Sequence, residues 1–378
     1  MNKSLLSLAF GTFALGIAEF TMMAILGDVA TGLNISIVEA GHLISAYSIG
    51  VAIGAPGLIF LRRWPLKRLL LLLTAVIVAG NVFAAVSPGY ISLLISRFIS
   101  GLPHGAFFGA GAIVSQRLAG KGHGAEAVAV MVGGMTVANV VGVPAATFVA
   151  TTVTWRMAFA LVALFGLAAL VSIRLWMPFL DPLPDTGLKG QFRFLRNPAP
   201  WLIYAGVFFG QMSVYCYFSY VEPIMTGVTG FPISAMTWIM VLAGVGMVVG
   251  NIAAGKIADK CGAARTSAWI AVLIIVIMPA IYFFSACKLP SLMLMFVATA
   301  CLFGIGGPLQ YLIVHYAKGG EMLGGAGIQI AFNVSNAVAA AIGGAAIHHG
   351  LGLASPAIVG IPGAFIAAAA LFFLARKY

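Results

Sequence analysis

Apolar residues run along this chain in blocks of about twenty, and each block is closed by a short cluster of Gly, Pro or basic residues. About twenty is what a hydrocarbon layer of about 30 Å requires of an α-helix rising 1.5 Å per residue. The blocks predict membrane-spanning helices at roughly 5–27, 38–60, 68–86, 91–116, 126–149, 157–177, 199–221, 235–255, 266–286, 291–316, 322–346 and 354–375. An all-α membrane protein of twelve transmembrane helices is therefore expected.

Composition agrees with the pattern. Of 378 residues, 62% are hydrophobic and 8% charged, which no soluble core absorbs. The net charge of +11 raises the question of anionic partners, so the placement of the basic residues matters. If the first residues are cytoplasmic, seventeen of the twenty Lys and Arg fall on that side, while Arg156 and Lys288 fall opposite and Arg97 lies within a span. The surplus reads as a topology signal that puts both termini in the cytoplasm, and nucleic acid binding is not expected. Glu19 interrupts the first run and no small-residue cleavage site follows it, so a retained span is expected in place of a signal peptide. Cys216, Cys261, Cys287 and Cys301 show no paired spacing, and neither a disulfide framework nor a metal site is predicted.

One long polar stretch, 178–197, divides the chain into two sets of six spans, 1–177 and 198–378. The sets look duplicated. Gly57 and Gly255 close spans 2 and 8, Asn139 and Asn336 lie in spans 5 and 11, and Gly101 and Gly304 lie in spans 4 and 10. The offsets are 198, 197 and 203 residues. Two parallel, pseudo-symmetric six-helix bundles with a midplane site between them describe a secondary transporter architecture.

Ionisable groups in the bilayer mark function by default. Arg97 falls in span 4, with Gly101 and Gly105 following at helical spacing and His104 two turns on. Among nine acidic residues, only Glu19 falls well inside a span. Counted from span ends on the same side, Glu19 lies about 12 Å deep and Arg97 about 9 Å. Water access and the distance to a cation set the proton affinity of a carboxylate. Glu19 is therefore the candidate proton carrier and Arg97 its counter-charge, against the plain alternative of a static ion pair. His104 is either a relay or a neutral histidine bonded to a carbonyl; His42, His315, His348 and His349 read as interfacial.

These residues carry a family resemblance. Gly16, Glu19 and Phe20, then Ala40, Gly41, Tyr47, Gly54 and Pro56, resemble the first two spans of the drug:proton antiporter 1 family of the major facilitator superfamily, in particular its bacterial arabinose- and sugar-efflux permeases. Arg97 with Gly101, Pro103, His104 and Gly105 resembles the fourth-helix motif. Asn139, Gly142 and Pro144 resemble the fifth-helix antiporter motif, and Trp155 and Arg156 the start of span 6. The resemblance implies a bacterial inner-membrane transporter whose spans 1, 4, 7 and 10 line the substrate path. It makes Gly142 and Pro144 a hinge or leak-proof seam, with ordinary small-residue packing as the alternative. It makes Gly255, Asp259 and Arg265 a conformational latch, with a solvated topology loop as the alternative, although Leu61 stands where the first copy of that motif carries Asp.

On the helices that the resemblance makes central or supporting, candidate substrate contacts are Tyr47, Asn139, Gln211, Tyr215, Gln310, Tyr311, Asn333 and Asn336, because buried amides and phenols require partners, either a solute or a neighbouring helix. Tyr217 and Tyr220 read as interfacial anchors. Gly250, Gly255 and Lys256 imitate a phosphate loop, but Ile257 replaces the Ser or Thr that would hold magnesium. No enzyme and no cofactor is expected. The expected function is proton-coupled efflux of a small organic solute such as an amphiphile, sugar or nucleoside, by a monomer. The alternatives are a proton-independent facilitator and a non-transporting receptor or scaffold.

Overall fold

A computed structural model of the chain describes residues 3–57, 61, 64–119, 124–182, 192–317 and 321–377, and these are helical almost throughout, with no strand among them. In chain order the first half comprises α1 (Lys3–Ala24), α2 (Leu26–Leu33), α3 (Ile37–Gly57), α4 (Leu66–Ala85), α5 (Tyr90–Leu118), α6 (Gly124–Val137), α7 (Val143–Thr152) and α8 (Trp155–Trp176). The second comprises α9 (Pro198–Phe218), α10 (Val221–Gly227), α11 (Met236–Cys261), α12 (Ala263–Phe284), α13 (Lys288–Tyr316), α14 (Glu321–His348), α15 (Pro356–Val359) and α16 (Ile361–Lys377).

Eleven spans among the described residues are long and apolar enough to cross a bilayer. The twelfth crossing is α9. Its 21 residues suit the length, but Trp201, Tyr204, Gln211, Tyr215 and Tyr217 make it more polar than its neighbours. A helix that is buried among others, as α9 is, has no need to be uniformly oily.

Two predicted spans break early. Ile25 interrupts the first at φ −124°, ψ 20° and Tyr220 interrupts the seventh at φ −115°, ψ 21°, so the short helices α2 and α10 bend off the ends of α1 and α9. The two breaks stand at equivalent places in the two halves and share one backbone conformation. They lie at the far end of the bundle, away from the end that carries Lys3 and Lys377. The fifth span is also interrupted: α6 and α7 are joined by a π-helical turn at Ala138–Gly142. Pro144 has no N–H to offer the carbonyl four residues back, which frees the turn to widen there.

Glycines set the packing register. Within the first half a side chain on Gly50 would overlap the carbonyl oxygen of Phe98, and one on Gly54 that of Leu102; within the second, Gly246 and Gly250 stand in the same relation to Phe296 and Ala300. In the fourth and tenth spans Phe98 therefore corresponds to Phe296 and Leu102 to Ala300, which sets Gly101 opposite Thr299. This corrects the expected equivalence of Gly101 with Gly304, because the helix seam follows these carbonyl approaches and not the motif spacing.

The halves meet along α3 with α14, and α11 with the π turn and α7. Ser45 Oγ donates to Ala337 O at 2.9 Å. Gly244 of α11 lies so close to Asn139 O that no side chain fits between them. Tyr217 and Tyr220 are buried, not interfacial, and Tyr220 donates to Ala340 O at 2.7 Å between Gly41 and Gly344. α14 of the same half supplies what the bilayer surface was expected to supply, an acceptor for the Tyr220 phenol at the end of an apolar helix.

Candidate functional site

The site is built where α1, α3 and α5 cross. Glu19, Arg97 and His104 are each at most 1% exposed, and Tyr47 beside them is equally enclosed. All turn inward from the lipid. Their order in space differs from the expected direct pair. Arg97 lays its guanidinium 4.4 Å over the Tyr47 ring and 5.6 Å from that of Phe159. The Tyr47 hydroxyl meets His104 Nδ1 at 2.9 Å, and His104 Nε2 stands 3.9 Å from Glu19 Oε2. The His104 ring stacks on Phe108, with centroids 5.2 Å apart.

Among the described residues neither Glu19 oxygen and none of the three Arg97 side-chain nitrogens has a hydrogen-bond partner. Arg97 is thus within the electrostatic reach of Glu19 but is held by aromatic faces, and the group in ion-pair range of Glu19 is His104. The reason is placement along α5. His104, two turns past Arg97, comes level with Glu19, whereas Arg97 comes level with Tyr47. If the Tyr47 hydroxyl donates to Nδ1, the ring proton sits on Nε2 and points toward the carboxylate. Both groups have lost water, and a buried charge without a full set of hydrogen bonds costs on the order of several kcal/mol.

Other buried polar groups lie in both halves. Tyr215 lies within the field of Glu19 although it belongs to the second half. Its hydroxyl has no partner among the described residues, and its ring meets Phe332 edge-on at 5.4 Å. Gln211, one turn before it, donates Nε2 to Leu302 O at 3.3 Å and leaves Oε1 unpartnered. Both amide atoms of Asn139, on the π turn, and of Asn336, on α14, are buried and likewise without partners. Asn333 turns back to donate to Gln329 O at 3.0 Å on its own helix.

Two candidates lie elsewhere. Gln310 is placed against Gly325 in the seam between α13 and α14. Tyr311 is 72% exposed, on a stripe of α13 with Gly307 and His315. Gly142 packs against Ile17 of α1 and Pro144 is buried, so this segment is a tight seam of the first helix with the fifth. Gly255 is surrounded by open space and Arg265 is exposed on the first turn of α12; the Asp259 side chain lies outside the described residues. No cluster of three or more metal-ligating side chains is found among the described residues.

One buried carboxylate was missed. Glu222 falls just past the predicted end of the seventh span, and only 3% of it is exposed. Its Oε2 accepts from Gly27 N at 2.5 Å, across the boundary between the halves. Nothing in the local pattern separates it from a solvated acid at a helix end.

Known proteins resemble this chain along its whole length. The model of the Major Facilitator Superfamily matches residues 8–328. AraJ of Escherichia coli strain K12 is 45% identical over 372 residues, 98% of this chain and 94% of AraJ. The inner membrane transport protein YdhP of the same strain is 35% identical over 378 residues, covering 100% of this chain and 97% of YdhP. The fold is also that of a bacterial homologue of the human lysosomal transporter Spinster, crystallised in an inward-facing and occupied conformation; the TM-score is 0.74 at 16% identity, over 99% of this chain and 96% of that one.

Proposed function

Because this chain belongs to the major facilitator superfamily and so is a multi-pass membrane transporter in kind, we propose that it is a proton-coupled antiporter. It would export a small organic solute by alternating access, with the ends of the chain in the cytoplasm. The observation that carries the reading is the enclosed line Arg97, Tyr47, His104, Glu19 inside the first half, beside the unpartnered Tyr215 hydroxyl of the second and, one turn before it, the unpartnered Oε1 of Gln211.

In this reading Glu19 holds the exchangeable proton. His104 Nε2 is the neighbouring group, but 3.9 Å is beyond hydrogen-bond length, so proton transfer between them requires the ring and carboxylate to approach by about 1 Å. Arg97 stabilises the ionised carboxylate through space while its aromatic sheath keeps it from a tight pair that would trap one state. Solute that bonds Tyr215 beside Glu19 competes with the proton, and Gln211, Asn139 and Asn336 offer it further buried polar atoms. These groups are neutral donors and acceptors, which suits sugars, nucleosides and weakly charged amphiphiles.

A thermal-shift panel of those three classes on purified protein supplies the ligand, since binding to the native state raises its stability. Proteoliposomes carrying that ligand then test coupling. Glu19→Gln is expected to lower transport driven by a pH gradient at least about tenfold while leaving ligand counterflow in place. Unchanged pH-driven transport in that variant rejects the antiporter and leaves a proton-independent facilitator.

A further inference from the structure

Ile25 and Tyr220 have nearly identical backbone angles and each stands just before a short helix, so the repeat relates Gly27 at the start of α2 to Glu222 at the start of α10. These two related positions touch each other. Only two symmetry-related helix starts that converge on the pseudo-twofold axis can do so, which places the contact at the centre of the far-end closure. One partner is an acid and the other a glycine. A side chain on Gly27 would occupy the space that the Glu222 carboxylate fills.

The contact answers a local need. α2 has no side-chain cap, so the N–H of Gly27 has no partner within its own helix. Glu222 Oε2 accepts from it at 2.5 Å and thereby caps a helix of the opposite half. Thr226 Oγ1 lies 3.3 Å from the other oxygen. The charged group facing this carboxylate is Asp28 of α2, another acid, whose Oδ2 is buried without a partner; α1, which also packs on α10, presents no ionisable group at this level among the described residues. A buried acid joining two mobile halves, beside a second acid and without a cation, is an arrangement that a bound proton relieves.

We propose that Glu222 is a second proton site, protonated when α10 seats on α2 to close the far end and ionised when the two separate into water. Closure would take one proton from the far side onto a Glu222 oxygen, and the carbonyl oxygen of the acid would keep the bond from Gly27 N. Reopening returns the proton to water. The inference rests on the transporter reading for the existence of two states, but not on Glu19.

The electrostatics agree in sign. Burial, followed by the neighbouring Asp28, pushes the Glu222 carboxyl up to about 7 in the closed arrangement, against the opposing bonds from Gly27 and Thr226. In water its ordinary value is 4.5. A group that holds its proton more tightly when closed favours closure fully below the lower value and loses that contribution as pH rises through about 7. The closed-to-open ratio is thus expected to fall by one to two orders of magnitude, roughly, between pH 5 and pH 8. With the termini cytoplasmic, external protons would shut the external gate, the direction an antiporter uses.

The test needs no ligand. Spin labels at Val86→Cys and Leu351→Cys, both exposed at the far end and in different halves, report the gate in the full chain in nanodiscs, with Cys261→Ser and Cys287→Ser removing the exposed natural thiols. The short-distance population is expected to grow as pH falls from 8 to 5. Glu222→Gln, which keeps the acceptor for Gly27 N, is expected to hold the gate short at both values. Asp28→Asn, a second route should the first variant fail to fold, is expected to move the midpoint to lower pH by half a unit or more. A distance distribution indifferent to pH, an unaltered response in Glu222→Gln, or an unmoved midpoint in Asp28→Asn would overturn the proposal. Glu19→Gln in the same assay separates the two readings: if it alone abolishes the response, the gate titrates through Glu19, and the coupling reading stands while this one falls.

Discussion

Carried across the repeat, Glu19, Tyr47, Arg97 and His104 of the first half fall on Val214, Ala243, Met295 and Leu302 of the second. All eight are buried. The backbones around them match closely enough that the same glycine-to-carbonyl approaches recur, Gly54 under Leu102 and Gly250 under Ala300. Four polar or charged side chains in one half thus correspond to four apolar ones in the other. The scaffold is therefore set by small residues where helix backbones touch, whereas the side chains proposed for coupling occupy positions that packing does not fix. Packing constrains the first set in both halves; the second set is free to diverge, and has done so into one charged side and one neutral side.

That separation can be broken most sharply by moving charge across it. Met295→Arg puts into the second half the cation that the first half keeps, without the faces of Tyr47 and Phe159 to receive it. It is expected to cost about 3 kcal/mol, the scale for an arginine at mid-bilayer. The loss should show as a collapse of monodisperse protein in size-exclusion chromatography. Normal yield and melting behaviour would mean that the second half has a hidden acceptor.

The scaffold side of the comparison predicts equality. Gly54→Leu and Gly250→Leu should each destabilise the protein by about 1–3 kcal/mol through overpacking, with melting temperatures lowered by similar amounts. If one is tolerated and the other is not, the two crossings are not equivalent and the pairing of Gly54 with Gly250 is wrong.

The smallest expected effect sharpens the chemical side. His104→Leu copies the residue of the second half and removes the bond to Tyr47, a loss of about 1 kcal/mol. Stability should change little, while the pH dependence of transport changes shape if His104 neighbours the exchanged proton. A profile superimposable on the wild type would reduce His104 to packing.

Much of this was legible in one dimension. Blocks of twenty apolar residues broken by basic clusters carry the helix count, because a bilayer leaves the backbone no other way to satisfy its hydrogen bonds. Glu19 and Arg97 stood out for the same reason: charge in an oily segment is rare enough to read without a fold. Depth counted along each helix brought the two to about the same level, but the packed helices place His104, two turns further along α5, beside Glu19 and leave Arg97 over the Tyr47 ring. Periodicity gives a face only relative to its own helix, and six helices must be packed before any two faces meet.

Glu222 shows where the chain taken alone stops. Written out, it is an acid one residue past a predicted span, where acids are ordinary. Its burial comes from the distant Gly27, far earlier in the chain but lying on the same axis. Hydropathy and spacing along the chain suffice for how many helices cross, for their grouping into two like halves and for which residues carry charge into the membrane. Packing settles which of those charges are neighbours, that Tyr217 is buried and Tyr220 sealed between Gly41 and Gly344, and that one acid caps a helix of the opposite half. Those outcomes depend on contacts between segments far apart in the chain, and no local pattern encodes the direction in which a distant helix turns its side chains.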